Sequence, residues 1–258
     1  MLRRRGVNTV TAILLAGVMG LNFYVSVPWW GFTLVILSWF LITLGGSFFI
    51  GWNYHLTSLH ANKNIRDNQI ALTFDDGPHP DFTPKVLDLL NKYKARATFF
   101  CVGRNIEEYP TVFSRILAEG HSVGNHTYGH SRAFGFFGTE KVIDELNRTK
   151  EIIMKLSGQE TKLYRPAFAV TNPMIERAVK HLGLYSIGWN IRSLDTTMRT
   201  GPQILKRITS RISKGDVVLL HDTSQKSVVV LEQLLLFLQD ENLQSVTVDQ
   251  LLEIEAYA

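Results

Sequence analysis

Ile70-Ala71-Leu72-Thr73-Phe74-Asp75-Asp76-Gly77-Pro78 joins a short apolar, β-prone run to two adjacent carboxylates and a Gly-Pro turn. The run reads as a strand, and the turn pair ends it. Neighbours on an extended chain point in different directions, so the two carboxylates can take different jobs. One can bind a cation while the other stays free as a base. Read blandly, the same residues are a solvated turn.

Outward from this stretch, β-rich runs alternate with amphipathic helical ones. Further strands are expected over 97–102, 121–124, 162–164, 185–190, 217–220 and 244–248. Helices are expected over 83–93, 106–118, 139–156, 173–182, 202–212 and 228–238. Such alternation predicts parallel strands with helical crossovers. About seven βα units without a dinucleotide-binding glycine fingerprint favour a barrel over an open sheet. The run 228–238 is very apolar but short and ends in Gln-Asp-Glu, so it reads as a packed outer helix. The single cysteine, Cys101, lies in an apolar run and reads as a buried thiol.

Polar residues gather where these strands end, the face on which a barrel builds its active site. His126 and His130 are four apart, the spacing of a two-histidine metal site if they share a helical turn. With a carboxylate such as Asp76 they would form a facial set with open positions. His221 follows the apolar strand that ends in Leu219-Leu220 and suits a general acid near neutral pH. Asp195 could pair with it and hold its protonated form. Arg165 could orient a catalytic carboxylate through a bidentate contact.

The amino-terminal quarter has another texture. No Asp, Glu, Lys or Arg occurs from Gly6 to Asn62. Two apolar runs, 10–27 and 31–52, flank Pro28-Trp29-Trp30, a helix breaker with two interfacial aromatics. We read a transmembrane helical hairpin, with a single span as the alternative. The expected division is a membrane anchor over 1–62 and a catalytic domain over 63–258. Three of the four net positive charges belong to Arg3, Arg4 and Arg5, so no basic face remains for nucleic acid. Those arginines suit acidic lipids instead.

In this order, Asp-Asp-Gly-Pro, His-x-x-x-His, Arg-Pro, Asp and Leu-x-His resemble the polysaccharide deacetylases, the NodB-homology carbohydrate esterases of family 4. The resemblance spans about residues 68–252. It implies an α/β fold, a distorted (β/α)7 barrel, here preceded by the transmembrane segment. It implies a divalent metal, zinc first, with cobalt, nickel or manganese as alternatives. Asp75 then resembles the catalytic base, and Asp76, His126 and His130 the metal ligands. Arg165 resembles the residue that positions the base, and His221 the acid, with Asp195 its charge partner. Leu219 resembles a wall of the acetyl pocket, and the backbone N–H near Phe168 the oxyanion contact. Two positions depart from the family pattern. Thr196 stands where a Trp usually follows the Asp, and Ala169 where a Gly is frequent.

The expected activity is hydrolysis of an N-linked acetyl or other acyl group on an amino sugar. The expected partners are an N-acylated saccharide and a lipid bilayer, with no nucleic acid and no obligate protein partner. A bacterial inner-membrane location is implied. One rival is a deformylase or deacylase of a lipid-linked amino sugar. Another is a non-catalytic saccharide-binding membrane protein.

Overall fold

A computed structural model describes residues 3–258. Two helices come first, α1 (Arg4–Asn22) and α2 (Trp29–Phe48). Then follow β1 (Ser58–Leu59), β2 (Gln69–Asp75), α3 (Thr83–Lys92), β3 (Ala97–Cys101), α4 (Gly103–Glu108), α5 (Pro110–Ala118) and β4 (Ser122–Asn125). Next are α6 (Thr139–Ser157), β5 (Leu163–Tyr164), α7 (Pro173–His181), β6 (Tyr185–Ile187) and β7 (Ile191–Arg192). The chain ends with α8 (Gly201–Thr209), β8 (Val217–His221), α9 (Gln225–Asp240), β9 (Gln244–Val246) and α10 (Val248–Leu252).

The strands run β1-β6-β5-β4-β3-β2-β8-β7, with β9 added to the start of β2. Every pairing between named strands is parallel. The barrel is a half-barrel: β1 and β7 end the order and do not pair with each other. Among the described residues nine strands stand where seven were expected. One extra is β1, which lies inside the stretch 1–62 expected to be anchor alone. The other arises because Gly188-Trp189-Asn190 interrupts the run 185–190, leaving β6 and, just beyond it, β7.

Alternation along the strands sorts the core into two layers. Ile70, Leu72 and Phe74 of β2 pack outward with Phe99 and Cys101 of β3, Val218 and Leu220 of β8 and the apolar face of α9. Ala71 and Val217 belong to a separate cluster with Phe100, Leu163 and Ile187. Period two therefore puts Thr73 and Asp75 on the Ala71 face and Leu219 and His221 on the Val217 face. These are the inner residues of the half-barrel, so the chemistry grows directly out of strand register: Asp75 lies opposite His221 in the β2–β8 pairing.

The expected helix 106–118 is two helices. Pro110 has no N–H to donate, and the chain breaks at Tyr109 before it. The expected strand 244–248 stops at Val246, and Val248 N–H turns to Thr98 Oγ1 at 2.8 Å as α10 begins.

Of the two amino-terminal helices, α2 is the one helix among the described residues long and apolar enough to cross a membrane. Arg4, Arg5, Asn8 and Asn22 keep α1 more polar. The pair is antiparallel, since Arg4 N donates to Tyr54 O beyond the far end of α2 at 3.1 Å. Trp39 Nε1 donates to Asn8 Oδ1 at 2.9 Å between them. Gly46 is required at the base: a Cβ there would lie 2.3 Å from the Tyr54 ring. Thr171 N donates to Ser47 O at 2.9 Å, docking the end of α2 on the half-barrel.

Candidate active site

Asp75, the last residue of β2, is buried and accepts from Arg165 Nη1 at 2.8 Å. Arg165 follows β5 and is wholly buried. The same Nη1 also donates to Thr73 Oγ1 at 2.7 Å. Nε donates to Ile187 O at 3.2 Å and Nη2 to Gly188 O at 3.0 Å. The bidentate contact expected from the sequence is therefore a single-nitrogen contact, because the other edges of the fork are committed to backbone carbonyls. The guanidinium lies 4.0 Å from the Phe100 ring centre, which supports a cation without water.

Asp76 lies one residue beyond the strand in a left-handed conformation, φ 73°. Asn105 Nδ2 holds its carbonyl at 2.8 Å. That turn aims its carboxylate at His126 and His130. Oδ1 lies 3.4 Å from His126 Nε2 and 3.2 Å from His130 Nε2. The three donor atoms fall within 4.8 Å of one another.

The two histidines do not share a helical turn. They sit on an irregular loop after β4 with left-handed backbone at Thr127 (φ 67°) and His130 (φ 45°). Such conformations cost energy for non-glycine residues and persist only where contacts enforce them. Here Asn125 Oδ1 accepts from Thr127 N, Thr127 Oγ1 from His130 N, and Glu145 Oε2 from Tyr128 N and Gly129 N.

The donor set suits a cation. His126 Nδ1 faces Arg165 O at 2.9 Å, and a carbonyl only accepts, so Nδ1 carries the proton. Nε2 of the neutral ring is then a bare lone pair facing a carboxylate oxygen. Two acceptors that close need a positive charge between them. Burial disfavours the charged form of His126, but Asp75 and Asp76 outweigh it and raise the pKa. Burial likewise opposes ionisation of Asp76, yet the hydrogen bond to His126 and the nearby imidazoles hold its carboxyl well below the usual range. His130 is lowered to about 4 by burial and by His126, so its ring is neutral and free to ligate.

His221 closes β8. Its Nδ1 lies 2.8 Å from Asp195 Oδ1, and its backbone N donates to Asp195 Oδ2 at 2.8 Å. Ser193 Oγ and Ser227 Oγ complete the shell of this wholly buried carboxylate at 2.8 and 2.9 Å. Burial would lower the imidazole, but the hydrogen bond and charge of Asp195, with Asp75 and Asp76 behind, raise it to about 9. Asp195 is held below its ordinary value: burial opposes this, but the His221 ring outweighs it.

A cavity of about 210 Å3 joins these groups. Asp75, Asp76, His126, His130, Phe168, Leu219 and His221 line it, while Arg165 and Asp195 stand behind as supports. Phe168 and Ala169 are left-handed (φ 56° and 62°), and the Phe168 ring lies 4.4 Å from that of His130. Thr196 and Ala169, the two departures, both line the cavity. Trp189 and Arg192 also line it, and the sequence reading missed them. Their signal was the break within 185–190, where a strand interior would have buried Trp189 in a sheet face. Ser193 and Ser227 carried no signal, since Ser227 is 32 residues from the carboxylate it serves.

A half-barrel that gathers a carboxylate, two histidines that could hold a cation and a further, charged histidine around one cavity suits acid–base hydrolysis. A family model described as Polysaccharide deacetylase matches residues 62–187. The Peptidoglycan-N-acetylmuramic acid deacetylase PdaC of Bacillus subtilis is 33% identical over 204 residues, 78% of this chain and 43% of that protein. This chain thus spans less than half of that relative's length. A Peptidoglycan-N-acetylglucosamine deacetylase of Bacillus cereus is 35% identical over 188 residues, 71% of this chain and 87% of that protein. The crystal structure of the Bc1960 peptidoglycan N-acetylglucosamine deacetylase, bound to an N-oxidanyl-benzamide, superposes with TM-score 0.72 at 29% identity. That match covers 78% of this chain and 94% of the other. The chain belongs to the polysaccharide deacetylase family, hydrolases acting on carbon–nitrogen bonds other than peptide bonds.

Proposed function

We propose that this chain is a membrane-anchored, metal-dependent deacetylase that hydrolyses the N-acetyl amide of an amino sugar in an envelope polysaccharide. The observation that carries the reading is one cavity flanked by the Asp76–His126–His130 set, the Asp75–Arg165 pair and the Asp195–His221 pair. Peptidoglycan is the substrate class in the relatives' names, and it is the first substrate to test.

A divalent ion, zinc first, held by Asp76, His126 and His130 would supply Lewis-acid polarisation of the scissile carbonyl. Asp75 takes the proton of the attacking water as general base. Arg165 fixes the carboxylate through Oδ1 and leaves Oδ2 toward the cation site. The backbone N–H near Phe168 donates to the developing oxyanion. His221, charged below about pH 9, delivers its Nε2 proton to the departing amine while Asp195 stabilises the imidazolium. Leu219, Trp189 and Thr196 shape the space for the acyl group. Incubation with N-acetylated muropeptides and chitooligosaccharides, followed by mass spectrometry, tests the reading. Loss of one acetyl per hydrolysed residue is expected, and intact substrates throughout would overturn it.

The second reading is a deacylase of a lipid-linked amino sugar. Ser47 at the end of α2 accepts from Thr171 N, two residues from the cavity-lining Ala169. The proposed membrane helix thus abuts the loop that walls the site. Activity on lipid-linked and not water-soluble sugars would select this reading. We assign the anchor to the chain before about Trp52 and the catalytic unit to the rest, in a bacterial inner membrane.

A further inference from the structure

A cavity of about 510 Å3 between the helical hairpin and α7 takes no part in the reaction above. Arg3, Arg4 and Arg5 line it from the start of α1, and Lys180 lines it from α7. The one acidic residue in its wall is Glu176. That carboxylate is already shared, with Arg4 Nη2 at 3.3 Å and Lys180 Nζ at 2.7 Å. Arg3 and Arg5 form no ion pair among the described residues. Four cations against one carboxylate leave a surplus of three positive charges around one hollow. Like charges crowd this way at small cost only when an anion joins them.

A second observation is independent of the arginines. His55 lines the same cavity and is 7% exposed, yet its Nδ1 has no hydrogen-bond partner among the described residues. A buried polar atom left bare costs free energy unless a ligand or water satisfies it. Burial and the charge of Arg4 push His55 down to about 4, against the pull of Glu176, so the ring is neutral with one N–H to place. Ser47 Oγ lies 3.1 Å from Nε2 and gives its one proton to Thr43 O at 3.1 Å, so it accepts from Nε2–H and leaves Nδ1 a bare acceptor toward the cavity.

The cavity also has a definite depth. Both chain ends of the hairpin meet beside it, α1 opening at Arg4 and a single tight turn, Ile50–Trp52, following α2. Away from it the helices expose Val10, Ile13, Leu14, Leu34, Ile36 and Leu37. Where such apolar surface gives way to arginine, a bilayer presents its phosphates.

We propose that this cavity binds the phosphate of an anionic phospholipid headgroup, with Arg3 and Arg5 pairing its oxygens and His55 Nδ1 accepting from a headgroup hydroxyl or a water bound to it. The inference rests on the reading of the hairpin as membrane-embedded. Its consequence is mechanical: a lipid bridging α1 and α7 locks the hairpin against the half-barrel, beside the Ser47–Thr171 contact that leads to the active-site loop.

Full-length protein in detergent micelles doped with phosphatidylglycerol or phosphatidylcholine is released for native mass spectrometry. One retained phosphatidylglycerol is expected, with phosphatidylcholine lost. Arg3→Gln with Arg5→Gln should cut retention by about tenfold or more, as loss of charge-assisted bonds requires, and His55→Phe separately should cut it by about threefold or more, as loss of one neutral hydrogen bond requires. Equal retention of both lipids, or retention unchanged in both variants, overturns the proposal. Inorganic phosphate that displaces the lipid at matched concentration overturns the lipid as the source. Flotation of the full chain with neutral phosphatidylcholine vesicles tests the membrane reading separately. A chain that floats but retains no phosphatidylglycerol sinks the headgroup site alone, and one that does not float sinks the hairpin reading.

Discussion

His221 and Asp195 show how two residues divide one proton. The imidazole, lifted to about 9, is charged at neutral pH, as a proton donor to an amine must be. Turnover should therefore hold on the alkaline side of neutrality and fall as pH rises through about 9. Asp195→Asn should move that fall toward the ordinary histidine range, read in a kcat profile. The stability sign is the same: the raised pKa contributes fully below about 6.5 and is lost as pH climbs to about 9. The adjacent carboxylates should separate by function. Asp75→Asn should retain the metal yet lose about 100-fold or more in kcat, the usual worth of a general base. Asp76→Asn should lose metal first, measured by elemental analysis after dialysis. Equal metal loss in both would contradict the division. Arg165→Met removes the guanidinium that donates to buried Asp75 and bares the Ile187 and Gly188 carbonyls. It should destabilise by about 3–5 kcal/mol in urea unfolding.

At the scale of elements, β1 matters more than its two residues suggest. It covers the edge of β6, with Ser58 Oγ and Ser186 Oγ 2.7 Å apart between them. Deleting residues 1–60 would uncover that edge, whereas deleting 1–52 would keep it. The longer deletion should aggregate and the shorter remain monodisperse, judged by size-exclusion chromatography. The βα pattern was readable because buried strands and amphipathic helices have different periods. β1 was not, because Ser58-Leu59 is too short to show any period and sits directly behind an apolar run. The loop 126–130 was misread for a related reason. A spacing of four suggests a helical turn, and Glu145, on α6, with Asn125 and Thr127 enforces the irregular alternative.

For the whole molecule, the hairpin meets the half-barrel at one end, where the start of α1 and the end of α2 lie side by side. If α1 and α2 both cross the bilayer, the amino terminus and the catalytic unit share one side. Reporters fused to either terminus should then be active in the same compartment. Opposite compartments would leave α2 as the single span, consistent with its being the more apolar helix. That result decides whether the cavity faces cytoplasmic lipid-linked sugars or an external polymer.

Residue order along this chain was enough to determine the parallel α/β class and the family, and to single out nine polar or pocket residues as candidates, because each lies at a strand end or in the loop that follows one. Asp75-Asp76 after an apolar run and His221 after Leu219-Leu220 needed no tertiary knowledge. What three dimensions alone decided is who touches whom across long separations. Ser227 on Asp195, Ile187 and Gly188 on Arg165, Trp189 at the cavity and the open seam between β1 and β7 all belong to that set. Hydrogen bonds and packing between distant segments leave no period in the sequence. They are fixed when the strands take their register and bring those segments within a few ångströms.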